Sequence, residues 1–226
     1  MAEFADHIVL VTGAAGALGQ AVVEEFVRVG ATPVQLDIVE PDNDHYSVKC
    51  DLADAAACEA AVRDIVAKYQ RIDVLANIAG GFTMGEQVHE TTAATWDFML
   101  NLNALSVLNM ARAVVPQMLA QGNGKVVNVG ARAGLRGAGH MGAYSASKAV
   151  VIRLTEALAD ELKEQGINVN CVLPSIIDTE RNRHDMADAD FSRWVAPAAL
   201  AKVVRFLASA DADPIHGAAV PVEGLS

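Results

Sequence analysis

The sequence predicts an α/β fold, one doubly wound domain in which about seven parallel strands carry helices on both faces. Short β-branched runs alternate with longer stretches of helical period, the pattern of successive strand–helix units. Most of the short runs are apolar on both faces, as a parallel sheet covered on each side demands. The connecting stretches carry apolar stripes at i+4, such as Leu18, Val22 and Phe26 or Ala61, Ile65 and Tyr69, and those stripes read as core.

In chain order the strands are HIVLVT (7–12), TPVQLD (32–37), HYSVKC (45–50), IDVLAN (72–77), KVVNVG (125–130), INVNCVL (167–173) and GAAVPV (217–222). Long helices follow the fourth and fifth strands, over about 92–121 and 143–165. The stretch TERNRHDMADADFSRWVA (179–196) mixes charge and aromatic residues without period and reads as a mobile flap between the sixth strand and the last helix. Glycines fall mostly at element ends, where turns use positive φ. With 226 residues and no linker or repeat, residues 1–226 form a single domain.

Composition narrows the function. Hydrophobic residues make up 52% of the chain and charged residues 20%, enough for a large core in a soluble globular protein. A net charge of -11 and a pI near 4.9 speak against nucleic acid, which needs clustered Lys and Arg. Cys50, Cys58 and Cys171 form no CxxC pair and no leader precedes the first strand, which points to a reducing cytoplasm. No uninterrupted apolar run reaches the roughly 18–20 residues that cross a bilayer, so no membrane partner is expected. The six histidines show no metal-ligand spacing, so no metal is expected.

VTGAAGALG follows the first strand and opens the first helix, the context that makes a glycine motif a dinucleotide site. Gly13, Gly16 and Gly19 remove Cβ atoms where backbone approaches a pyrophosphate, and the helix N-terminus offers free N–H donors. Alone, such a turn is more often just a tight turn; three further features tip the balance. Asp37 ends the second strand, where a carboxylate accepts both hydroxyls of an adenosine ribose and repels a 2′-phosphate, favouring NAD(H) over NADP(H). Asp51 and Leu52 follow the third strand, where Asp51 could meet the adenine amino group or equally cap a helix. Asn77-Ile78-Ala79-Gly80-Gly81 ends the fourth strand with small residues that let backbone pass close to a cofactor.

Together these residues resemble the short-chain dehydrogenase/reductase family over essentially the whole chain, which implies a Rossmann-type domain and an NAD-dependent oxidoreductase. TGAAGALG is similar to the family's TGxxxGxG, NIAG to its NNAG and YSASK to its YxxxK; Ala17 stands for the middle glycine and Ile78 for the second Asn. The resemblance extends the cofactor contacts to Ala17, Leu18, Asn77, Ala79 and Gly80. NVNCVLPSIIDT resembles the segment that holds the nicotinamide amide, implying contacts from Pro174, Ile177 and Thr179, with Ser175 in place of a glycine.

Tyr144 and Lys148 lie at i and i+4, so one helix face presents both to a single proton circuit. A nearby ammonium favours the phenolate and lowers the Tyr pKa towards the operating pH; a surface coincidence is the bland alternative. By resemblance Lys148 also holds the nicotinamide ribose, and Asn103 is the helix Asn that kinks the backbone and holds a water near the Lys, with Asn101 a neighbouring candidate and packing an alternative for either. The family's catalytic Ser, thirteen residues before the Tyr, is here Ala131, preceded by Gly130. Alanine cannot supply that hydroxyl, worth up to a few kcal/mol of oxyanion-type stabilisation. Ser145 points about a quarter-turn from Tyr144, and Ser175 would need its loop turned inward.

Three readings remain: a carbonyl/alcohol oxidoreductase relying on Tyr144 alone or with water, a reductase whose substrate needs no such serine, and a non-catalytic NAD(H)-binding regulator. For the second, AGGF (79–82) and LPSIIDTERNRHDMADADFSRW (173–194) resemble dihydropteridine reductases, with Phe82 or Trp194 placed to stack on a pterin. It is the leading specific substrate expectation. Arg181, Arg183 and His184 either pair with an anionic substrate or are solvated. Surplus apolar residues Leu105, Leu108, Ile152 and Leu154 on the two long helices, with the family's habit of associating there, lead us to expect a homotetramer or homodimer.

Overall fold

A computed structural model describes residues 3–41 and 43–226. Its sheet contains β1 (Ile8–Thr12), β2 (Thr32–Asp37), β3 (Ser47–Lys49), β4 (Val74–Asn77), β5 (Gly124–Val129), β6 (Ile167–Pro174) and β7 (Ala219–Val222). All neighbours pair in parallel, in the order β3-β2-β1-β4-β5-β6-β7. The order reverses between β1 and β4, which opens a crevice beyond their carboxyl ends.

Strand alternation builds two cores. Val9 and Val11 of β1, with Val74, Ala76, Val127, Val129 and Val172, face one side; there they meet α1 (Ala17–Arg28) and α7 (Pro197–Ala208) through Val22, Phe26, Leu200 and Val204. Ile8 and Leu10, with Leu75, Val126 and Val169, face the other; there they meet α2 (Ala55–Tyr69), α4 (Ser106–Gln121) and α5 (Gly142–Leu162) through Ile65, Met110, Val114 and Leu162. Both faces being covered explains the continuous apolar runs of the sequence.

The structure modifies three expectations. The helix over 92–121 is α3 (Ala93–Leu100) joined to α4 through a π-helical turn at Asn101–Leu105. By length and composition Ala93–Gln121 is apolar enough to cross a membrane, which the sequence reading did not anticipate, but half of its most apolar window is packed inside the domain. The flap is more regular than its sequence suggested. It holds a short helix, α6 (Glu180–Asp185), whose N-cap is Thr179, and an Ile177–Val195 bridge closes its base. Ile152 is not surplus surface: it is buried against Cys171 and Leu173 beneath the sheet, whereas Leu108 is exposed.

Candidate functional site

The glycine turn between β1 and α1 is dictated by crowding at two positions and openness at a third. Gly13 has φ +65°, and a Cβ there would stand 2.7 Å from the Ala79 Cα; one at Gly19 would stand 2.1 Å from the Gly13 carbonyl oxygen. The turn therefore presses on the end of β4, and α1 presses on the turn. At Gly16 a Cβ would meet only the Gly13 oxygen, at 3.4 Å, so its bare backbone faces outward. Gly16 caps α1 without a side-chain acceptor, which leaves N–H donors at the helix start, around Ala17 and Leu18, for a pyrophosphate. The Leu18 side chain itself packs in the core, so only its backbone can serve a cofactor.

Thr12, which sequence reasoning passed over, holds the crevice together. Its buried Oγ1 accepts from Ile78 N (3.0 Å) and Ala79 N (3.2 Å), tying the end of β1 to that of β4. Thr12, Asn77, Asn128 and Cys171 are register partners across four strands and form one polar row at the carboxyl edge. This row occupies the Asn77 side chain and leaves its backbone to pass close to a cofactor. Its Nδ2 donates to Asn128 Oδ1 (2.8 Å), and Asn128 donates to Thr155 on α5 (2.9 Å), so the Asn77 amide is spent in the interior. Polar residues ending adjacent strands were the sequence signal for this network.

Asp37 reaches over the glycine turn. Its Oδ2 accepts from Ala15 N (3.0 Å) and its Oδ1 from Val39 N (3.2 Å), leaving lone pairs on both oxygens for two ribose hydroxyls. Asp51 is exposed and accepts from Ala53 N (2.9 Å); Asp54, not Asp51, caps α2. Leu52 is buried, with its carbonyl accepting from Asn109. On the far side Pro174 ends β6, the Ile177 carbonyl accepts from Asn182 Nδ2 (2.8 Å), and the Thr179 hydroxyl accepts from Asn182 N (3.2 Å). Thr179 thus already has a structural partner, though its hydroxyl proton remains available to donate.

Tyr144 and Lys148 project from the first turns of α5, below the crevice. Lys148 is buried, and its Nζ donates to the Val129 carbonyl (2.8 Å). A Cβ at Gly80 would stand 3.1 Å from that Nζ and 2.8 Å from Asn103 Oδ1, so the fourth-strand glycine is what admits them. Asn103 lies in the π-helical turn: its Oδ1 accepts from Gly81 N (2.9 Å), and its Nδ2 donates to Gly81 O and Ser147 Oγ (both 3.0 Å). Its side chain is a clasp on the Gly81 backbone, while Asn101 points to solvent. Ser147, also missed from sequence, in turn donates to the Tyr144 carbonyl (2.8 Å).

The expected electrostatics of the pair are reversed. Burial pushes the Tyr144 phenol up to about 12 and the Lys148 ammonium down to about 8. Desolvation dominates because Lys148 is committed to a carbonyl on β5 and no carboxylate compensates its charge.

Ala131 is buried in extended backbone at the end of β5. Neither serine replaces its missing hydroxyl. The Ser175 hydroxyl is held by Glu223 O (2.7 Å) and Ser226 Oγ (2.8 Å), and the Ser145 hydroxyl is buried without a hydrogen-bond partner among the described residues. Of the two aromatics, Phe82 is 48% exposed and stands edge-on to Tyr144, centroids 4.8 Å apart, whereas Trp194 is 8% exposed and packs on Phe191. Trp194 is therefore removed as a stacking platform. The flap cations are occupied too: Arg183 grips Asp178 through two bonds (2.5 and 2.8 Å), and Arg181 and His184 both lie against Asp185.

The chain is similar to known proteins over nearly its whole length. The short chain dehydrogenase family model matches residues 7–190. The chain is 31% identical over 238 residues to the 2-dehydro-3-deoxy-D-gluconate 5-dehydrogenase of Dickeya dadantii (strain 3937), covering 96% of this chain and 94% of that protein. It is 32% identical over 237 residues to a 3-oxoacyl-[acyl-carrier-protein] reductase of Thermotoga maritima, covering 96% of each. The crystal structure of carveol dehydrogenase from Mycobacterium avium in complex with NAD superposes with a TM-score of 0.90 at 25% identity, covering 99% of this chain and 98% of that one.

Proposed function

This chain belongs to the short-chain dehydrogenase family, and on that premise we propose that it is an NAD(H)-dependent oxidoreductase acting on the alcohol or carbonyl carbon of a small molecule. The observation that carries the reading is the Tyr144–Lys148 pair on α5, set beside Gly80 at the crevice edge. Holding a cofactor calls for Lys148 alone and needs no proton circuit, so the Tyr144 beside it on α5 disfavours the regulator reading.

The residues around the crevice fit a dinucleotide. Gly13, Gly16 and Gly19 with the N–H groups at Ala17 and Leu18 would cradle its pyrophosphate, Asp37 its adenosine ribose, and Asp51 with the Leu52 backbone its adenine. The backbone at Asn77, Ala79 and Gly80 would line its middle, and Pro174, Ile177 and Thr179 the nicotinamide side. NADH bound there supplies the hydride. Asp37 repels a 2′-phosphate, and the NAD complex of the carveol dehydrogenase supports the same preference.

In the reducing direction Tyr144 is the proton donor. A phenol raised to about 12 stays protonated at neutral pH and gives its proton to the substrate oxygen as charge develops there. Lys148, lowered to about 8, exchanges protons near neutrality and would recharge the tyrosine through the bound cofactor's ribose or a water. Asn103, through Gly81, sets the strand-end backbone on which both depend. With Ala131 in place of a hydroxyl, Tyr144 alone polarises the oxygen, and turnover is correspondingly low.

The half-exposed Phe82 ring beside Tyr144 favours a second reading, reduction of a planar quinonoid dihydropterin in the manner of dihydropteridine reductases. Exposed Trp96, Phe98, Leu108 and Val150 support a dimer or tetramer through α3, α4 and α5. The free thiols of Cys50 and Cys58, 3.9 Å apart, support a reducing, cytoplasmic setting. NADH oxidation with ketones, aldehydes and a quinonoid dihydropterin tests the reading. Turnover abolished by Tyr144→Phe with NADH affinity retained is the expected result; full activity in that variant removes the tyrosine, and silence on every substrate restores the regulator.

A further inference from the structure

The loop joining β5 to α5 carries an open, solvent-facing groove of about 550 Å3, lined by Arg132, Ala133, Arg136, Gly137, Ala138 and Gly139, room for one end of a small ligand. The loop leads from the carboxyl end of β5 into the first turn of α5, which carries Tyr144. Gly134 of the same loop lies against α5 so closely that a Cβ would stand 2.8 Å from the Lys148 carbonyl carbon. Arg132 donates to the Ser226 carbonyl (3.2 Å), and Arg193 of the flap donates to the carbonyl of its neighbour Leu225, so groove and flap meet at adjacent residues.

Charge distinguishes this groove from the rest of the mouth. Arg183 is neutralised by Asp178, Arg181 lies 3.6 Å from Asp185, and Arg132 is 3.1 Å from Glu223. Arg136, among the described residues, makes no ion pair or side-chain hydrogen bond: its guanidinium is an unspent fork for a carboxylate or phosphate. In a chain of net charge -11 such a cation at the cleft is a local exception to a field that otherwise repels anions. Gly137 and Gly139 need their missing side chains for neither packing nor backbone, since a Cβ at either would meet nothing within 4 Å and neither has positive φ. Their absence leaves the floor of the groove bare.

We infer that Arg136 is an anion subsite for the distal end of the substrate, which makes that substrate an oxo acid or hydroxy acid. The inference rests on the oxidoreductase reading for the other end of the molecule. Binding to the protein–NADH complex is read by NADH fluorescence, in parallel with NADH oxidation. The probes are a homologous series of keto acids, their methyl esters, dihydroxyacetone phosphate and dihydroxyacetone.

The expected result is that the best acid binds about tenfold more tightly than its ester. Arg136→Gln brings that ratio near one, and Arg63→Gln on α2, which removes the same charge elsewhere, keeps it. A larger ratio for the phosphate pair sustains the subsite and assigns its natural anion. Equal affinity for charged and uncharged probes, or equal ratios in the two variants, overturns it. Charge-selective binding that depends on Arg136 but brings no NADH oxidation sustains the subsite and sinks the oxidoreductase reading; oxidation without charge preference does the reverse.

Discussion

Lys148→Met should make the folded protein more stable at neutral pH while destroying its chemistry. The ammonium is buried against the Val129 carbonyl with no counter-charge, and its pKa falls from 10.5 to about 8. That difference is a penalty of about 3 kcal/mol wherever both folded and unfolded states carry the proton. Methionine matches the length, abolishes the charge and loses one hydrogen bond worth about 1 kcal/mol, for a net gain of about 2 kcal/mol at pH 7. Between pH 8 and 10.5 the unfolded chain binds more protons at this position than the folded one, so wild-type stability rises with pH through that window and the advantage shrinks. Urea unfolding at pH 7 and pH 10 reads both effects; with a slope of about 2 kcal/mol/M the midpoint moves up by about 1 M at pH 7. A variant no more stable than wild type at pH 7, or a gap that ignores pH, would show that Lys148 is not the isolated charge described.

Asp37→Ala removes the carboxylate that accepts from two backbone N–H groups and the charge beside the ribose position, so NADH affinity should fall about tenfold and the NADH-to-NADPH ratio should narrow in fluorescence titrations; an unchanged ratio rules out Asp37 as the discriminator. Ala131→Ser restores a hydroxyl at the end of β5, and kcat on a carbonyl substrate should rise about tenfold with little change in KM, whereas a pterin reductase should not respond. Gly19→Ala drives a Cβ to 2.1 Å from the Gly13 oxygen, so thermal unfolding should register a loss of about 3 kcal/mol, while Gly16→Ala should leave stability nearly intact and weaken NADH.

The strands were legible because both faces of each are buried, which writes unbroken apolar runs such as Ile8–Thr12 into the chain. The third, read as 45–50, pairs with β2 through Ser47–Lys49, with one further backbone bond at each end from Tyr46 and Cys50. The short helix in the flap went unread because six residues are too few for helical period to show, and its N-cap is Thr179. Phe82 and Trp194 were equivalent aromatics in sequence; only their packing separates an exposed ring beside Tyr144 from one buried on Phe191. The π-helical turn, too, has no compositional mark, since Asn103 creates its use only by meeting Gly81 of the loop after β4.

By itself the sequence determined the parallel sheet, the glycine turn, the carboxylate at Asp37, the Tyr144–Lys148 spacing and the absence of a hydroxyl at Ala131, because each follows from local period, local stereochemistry or the identity of one residue. The protonation order of the pair, the spent Asn77 amide, the bridge through Thr12 and the unpaired Arg136 were decided by tertiary structure. Desolvation and hydrogen-bond partnership are properties of what surrounds a group. Those surroundings are assembled from segments dozens of residues apart, so no window of the chain contains them.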